Sequence, residues 1–92
     1  MLHFEWNPRK ERSNRRKHGV DFGEASTVFG DPLESTITDP DHSEGEHRFL
    51  SMGNSDRDRL LVVSFVERGG RIRILSARTA TAGERRQYES GT

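Results

Sequence analysis

The chain has 92 residues, no cysteine, zero net charge, and 33% charged against 29% hydrophobic residues. That length holds one domain with a small core, which points to stability gained from a partner. Disulfides, thiolate chemistry and cysteine–zinc sites are excluded, and no apolar run approaches the roughly 18 residues of a membrane span. With no signal-peptide core at the N-terminus, the chain reads as soluble and cytoplasmic.

Leu2, Phe4 and Trp6 alternate with His3 and Glu5, the period of a short strand. Asn7-Pro8 then predicts a helix start, with Asn7 as cap and Pro8 at the first helical position. The helix from Pro8 to about His18 contains no large apolar residue and ends at Gly19. Asp21-Phe22-Gly23-Glu24 resembles a capping box, and Phe22, Ala25, Val28 and Phe29 share one face of a second helix. Gly30-Asp31-Pro32 stops it.

Leu33 to Thr38 reads as a weak strand, and residues 39–45 as a turn-rich loop. His47 to Gly53 and the apolar run Leu60 to Val66 are strands joined by a polar turn, Asn54 to Asp58. Gly69-Gly70 predicts a hairpin turn into a returning strand, Arg71 to Arg78. Thr81-Ala82-Gly83-Glu84 opens a short terminal helix anchored by Tyr88. The prediction is an α+β domain: a short strand and two helices, an antiparallel sheet of three to four strands, and a short C-terminal helix.

The neutral total hides three blocks. Residues 1–18 carry a net +4, residues 19–46 carry −8 without a single Lys or Arg, and residues 47–92 carry +4. Arginine supplies 13 of the 15 cations, the residue suited to forked contacts with phosphate or carboxylate. Along the returning strand Arg71 and Arg73 point away from Ile72 and Ile74, so they face a possible groove. Glu84, Arg85 and Tyr88 share one surface of the last helix. A phosphate-binding surface and a solvated charged face both fit this pattern. The segment Asp39 to His47 offers oxygen and imidazole groups, but its spacing matches no zinc or EF-hand template. His42 and His47 are the imidazoles there that proton transfer could use.

Longer stretches carry a resemblance. Phe4-Glu5-Trp6-Asn7-Pro8 is followed by Asn14, Lys17-His18-Gly19-Val20, Phe22, Glu24-Ala25, Val28-Phe29 and Asp31-Pro32. Asp39, His42-Ser43, Glu46 and Arg48 come next, with Gly53 and Ser55 beyond them. The tail runs Arg73-Ile74, Ser76-Ala77-Arg78, Ala80-Thr81, Glu84-Arg85 and Tyr88-Glu89. In order and spacing this resembles the BrnT toxin family over nearly the whole chain. Two positions depart. Asp58-Arg59 stands where the family often has Gly-Arg, and Ala82-Gly83 where relatives are often basic.

The resemblance implies a RelE/ParE-like fold and a ribonuclease toxin of a type II toxin–antitoxin system. Its partner would be a BrnA-like antitoxin with a ribbon-helix-helix DNA-binding part, and the hetero-oligomer would repress its own operon on operator DNA. RNA cleavage without metal or cofactor needs a base, an acid and cations around the phosphate. Arg48, Arg78 and Arg85 are the expected cations; Glu46 or His42 the base; Tyr88 or His42 the acid; Glu84 the group that orients an arginine. Arg71, Arg73 and Arg86 are expected to bind RNA, and Arg12, Arg16, Lys17 and His18 the antitoxin. A non-catalytic subunit of the repressor complex and a gyrase-directed toxin are the alternatives the fold analogy leaves open.

Overall fold

The computed structural model describes residues 2–39 and 46–91. Its first helix, α1 (Pro8–His18), forms where the sequence signals it: the Asn7 side chain accepts from the backbone N–H groups of Arg9 (2.8 Å) and Lys10 (3.3 Å). Gly19 closes it at φ 69°, a left-handed conformation that glycine adopts without penalty. Asp21 caps α2 (Phe22–Ser26) through the Glu24 N–H at 2.7 Å. The second helix is shorter than its apolar spacing suggests, because the chain tightens into a 3₁₀ turn over Thr27–Gly30.

The strands are β1 (His3–Glu5), β2 (Ser35–Thr38), β3 (Phe49–Asn54), β4 (Leu60–Arg68) and β5 (Arg71–Thr79), followed by α3 (Ala82–Ser90). They form one sheet in the order β1-β5-β4-β3-β2. It differs from the expected three or four antiparallel strands in one respect. The N-terminal strand joins the far edge, parallel to β5, pairing His3 with Arg71 and Glu5 with Arg73. Local alternation marks β1 as a strand but says nothing about a partner some 70 residues away.

The core lies on one face of the sheet. Val20, Phe22, Ala25 and Val28 come down from the helical layer onto Leu61, Val63, Phe65, Ile72, Ile74 and Ala77. Phe29 bridges Phe4 and Phe65, with ring centroids 5.4 and 5.1 Å away, and Phe49 stacks on Phe65 at 5.4 Å. Phe65, nearly fully enclosed, contributes about 1.5–3 kcal/mol by leaving water, and the half-buried Phe4, Phe29 and Phe49 contribute less.

Strand β5 changes phase midway. Ser64 of β4 pairs with Ser76, but Phe65 pairs with Ile74, so Leu75 is an extra residue without a partner on β4. This bulge shifts the alternation by one. Ile72 and Ile74 face the core before it, and Ala77 faces the core after it. Arg78 thereby leaves the core face and joins Arg71 and Arg73 on the other side.

Asn14 fixes α1 to this strand. Its buried amide donates to the carbonyls of Val20 (2.9 Å) and Ala77 (2.8 Å) and accepts from the Ala77 N–H (3.1 Å). The side chain thus behaves like a strand peptide, completing the edge of β5 past the end of β1. It is the one buried residue of an otherwise polar helix.

Glu24 is the second buried polar tie. Its side chain is fully enclosed and accepts from Ser55 Oγ (2.7 Å), from Arg59 through both guanidinium arms, and from Arg57 (3.4 Å). The Arg59 fork, above all, holds this carboxyl below its ordinary range. The tie joins α2 to the loop between β3 and β4. That loop is a three-residue hairpin, with the Ser55 N–H donating to Arg59 O at 2.8 Å and Asp58 at φ 57°. Asp58 is thus a left-handed non-glycine residue at one of the two positions that depart from the BrnT pattern.

Two stability outcomes follow. Asp58→Gly relieves the left-handed strain and raises stability by about 0.5–1 kcal/mol, read as a higher urea midpoint at unchanged slope. Asn14→Ala strands three buried backbone groups and lowers stability by about 3 kcal/mol in the same titration. A loss below about 0.5 kcal/mol would show that water replaces the amide.

Candidate nucleic-acid interface

The sheet face away from the core is only partly covered. Register places Arg68 opposite Arg71, Arg73 opposite Val66, and Arg78 opposite Val62 on this face. Glu46 enters from the segment before β3 and takes Arg68 in a two-pronged contact, at 2.7 and 2.8 Å. Both partners are exposed. The Arg68 hydrogen bond chiefly, aided by the charges of Arg48 and Arg73, holds the Glu46 carboxyl below its ordinary range. On the edge strand Glu5 pairs with Arg73 at 3.0 Å and Arg71 at 3.6 Å. One end of the face therefore gathers Arg48, Arg68, Arg71 and Arg73 around two carboxylates.

The other end belongs to α3. Glu84 grips Arg78 through both arms, at 2.7 and 2.9 Å, and accepts from the Thr81 N–H at 2.9 Å. Thr81 returns the contact by accepting from the Glu84 N–H at 3.1 Å, so the capping box and the Arg78 pair share one carboxylate. These contacts, Arg78 foremost, lower the Glu84 pKa to about 2.

Tyr88 donates to Asp31 Oδ2 at 2.6 Å and accepts from Asn54 Nδ2 at 3.2 Å. Asp31 also accepts from the backbone N–H groups of Asn54 (2.7 Å) and Leu33 (2.8 Å). The Asp31 contact raises the Tyr88 phenol above its ordinary pKa. Gly53 permits this approach: a Cβ there would lie 3.1 Å from Val28 and 3.3 Å from the Asp31 carboxylate. Between α3 and the sheet, Leu33, Ile37, Leu50, Met52 and Val62 line an apolar hollow of about 250 Å³.

The expected site residues thus fall into two groups. Glu46, Arg48, Arg71 and Arg73 meet at the hairpin end, while Arg78, Glu84 and Tyr88 meet under α3. Four strand residues separate the two groups, roughly 13 Å along the sheet. Arg85 and Arg86 are exposed on α3, and Arg12, Arg16, Lys17 and His18 are exposed on α1, beside the β5 edge. His42 lies outside the described residues. Sequence reasoning assigned no role to Arg68, although Arg68 and Arg71 flank the two-glycine turn and must face the same way. It also gave Asn14, Glu24, Asp31 and Ser55 no role beyond the motif, since nothing local marks a polar residue as buried. No helix among the described residues is long and apolar enough to cross a membrane.

These features define a small α+β protein whose open sheet face is lined by arginines held by carboxylates. The chain belongs to the BrnT family, described as the ribonuclease toxin of type II toxin–antitoxin systems, whose model matches residues 6–84. The fold is similar to the crystal structure of the Brucella abortus ribonuclease toxin BrnT, with TM-score 0.64 and 21% identity, covering 88% of this chain and 99% of that one. No curated protein matches the chain.

The Glu84 carboxyl titrates at about 2 in the fold against an ordinary 4.5, so its contact stabilises above about pH 4.5 and is lost as pH falls toward 2. The far-UV signal of α3 should weaken over that window, and Glu84→Gln should flatten the pH dependence. An unchanged profile in the variant would assign the transition elsewhere.

Proposed function

We propose that this chain is a type II toxin that cleaves RNA on the open sheet face. The observation that carries this reading is the convergence of Arg48, Arg68, Arg71 and Arg73 on one face of a ribonuclease-family chain. A phosphodiester strand laid across that face meets forked donors along its length. Glu46, ionised among the arginines, is the proposed base that takes the proton of the RNA 2′-hydroxyl. The oxygen then attacks the adjacent phosphorus, and the bond to the 5′-oxygen breaks. The products are a 2′,3′-cyclic phosphate and a new 5′-hydroxyl, which needs one proton.

His42, four residues before Glu46 in the sequence, is the proposed donor of that proton. Arg48 and Arg73 stabilise the extra negative charge on the phosphate oxygens. Arg78, with Arg85 and Arg86, guides the flanking RNA, and Glu84 orients Arg78. Tyr88 anchors α3, because its hydroxyl is committed to Asp31. The cognate partner is a BrnA-like ribbon-helix-helix antitoxin that neutralises the toxin and brings the hetero-oligomer to operator DNA. The site of action is the cytoplasm.

Expressed alone, the chain should arrest growth, and coexpression of the antitoxin should relieve it. The purified protein should cleave RNA in EDTA and leave cyclic phosphate ends. Glu46→Gln should slow cleavage by on the order of 10²–10⁴-fold with the fold unchanged. Cleavage that requires a specific divalent ion, or a fully active Glu46→Gln, would overturn this mechanism. DNA damage without RNA loss would move the target to gyrase.

A further inference from the structure

Helix α1 is well capped, yet its outward side carries charges that repel one another. It is 11 residues long, and Arg9, Lys10, Arg12, Arg15, Arg16 and Lys17 are all exposed. Arg9 and Lys10 sit in the first turn, where the helix dipole disfavours cations. Arg9–Arg12, Arg12–Arg15 and Arg12–Arg16 are like-charge neighbours at spacings of three or four, each destabilising. Glu11 is the helix's one acid, and it reaches Arg15 at 3.4 Å. The helix has no large apolar side chain, and the buried Asn14 holds it to the sheet. The caps and last-turn cations suit the helix, but Arg9 and Arg12 on its outward side satisfy nothing inside the fold, which points to a use outside it.

The geometry gives the charges a direction. At 3.6 residues per turn, Arg9, Arg12 and Arg16 form a stripe on the side opposite Asn14. The stripe rises about 10 Å along the axis. Arg12, Arg15 and Arg16 border a shallow open groove. A polypeptide partner would find no apolar anchor here, whereas phosphates need none.

We propose that the Arg9–Arg12–Arg16 stripe of α1 is a second RNA-binding surface, gripping the phosphate backbone of the substrate outside the cleavage face. The choice of RNA as the polyanion rests on the ribonuclease reading above. The stripe faces away from the β5 edge that Asn14 holds, and Arg71 and Arg73 lie on the open sheet face, with β5 flanking both. A long RNA that rounds the β1–β5 edge touches the two in succession.

The test uses the full chain and a fluorescent RNA hairpin with 2′-O-methyl sugars, which binds without being cleaved. Affinity is measured by anisotropy across a salt series. Arg9→Glu/Arg12→Glu/Arg16→Glu should weaken binding at least tenfold at low salt and make the log–log salt slope shallower by about 2–3. The triple variant keeps like-charge spacings at 9/12 and 12/16 but turns 12/15 into an attractive pair and places an acid in the first turn, so its far-UV spectrum and urea midpoint should match the parent. If it does not fold, Arg9→Gln/Arg12→Gln/Arg16→Gln gives the same test with a smaller charge change.

Unchanged affinity and slope would overturn the proposal. So would tighter binding of a duplex DNA probe through the same arginines, which would assign the stripe to the operator. Loss of antitoxin neutralisation with RNA binding intact would assign it to an acidic partner. A chain that cleaves no RNA yet loses hairpin binding in the variant would overturn the cleavage mechanism and leave the stripe standing.

Discussion

The extra residue at Leu75 is the constraint from which the site follows. In an uninterrupted strand, Ile72, Ile74, Ser76 and Arg78 would share one face, and Arg78 would point into the core. The bulge lets Ile74 and Ala77 both be buried and sends Arg78 outward. It also sets the Ala77 peptide where Asn14 can complete the edge of β5. One irregularity therefore fixes the helix on one side and the arginine row on the other. A bulge strengthens local twist, so it costs ladder regularity on the β4 side; on the opposite edge of β5 the Asn14 amide satisfies the Ala77 peptide.

The acidic middle of the chain looks different once placed. Asp21 and Glu24 draw in Arg57 and Arg59, and Asp31 receives Tyr88. These carboxylates hold helices and turns together, and two of the nine arginines of the C-terminal half are spent on them. What remains outward is a sheet face richer in cations than the neutral sum suggests. The same use of polar burial offsets the small apolar core. Breaking such a tie leaves an enclosed charge or amide without a partner, which costs more than losing an exposed pair.

Much of the architecture was legible because it is local. Asn7-Pro8, Gly19, Asp21, Gly69-Gly70 and Thr81 all act where their residue types predict, since caps and turns are decided within a few residues. The parallel pairing of β1 with β5 was not legible, because sequence alternation carries no address for a distant strand. The bulge was hidden for a related reason: Leu75 reads as an ordinary apolar residue of the strand. The arginines' common direction was legible for Arg71 and Arg73, from alternation alone. For Arg78 it depended on the bulge, and for the separation of the two candidate groups it depended on the full register.

The two basic surfaces differ in physical kind, and the difference lies in their counter-charges. On the sheet, Arg68, Arg73 and Arg78 are held by Glu46, Glu5 and Glu84. Pairing lowers their net attraction for a polyanion but fixes where each guanidinium points, which a reaction at one phosphate requires. On α1 the outward stripe has no such partner among the described residues, since Glu11 turns to Arg15. Unpaired charge on a solvated helix is poorly oriented yet reaches farther at low salt. Under the proposed function, geometry on one side and raw charge on the other divide the placing of one bond from the capture of a long anionic chain.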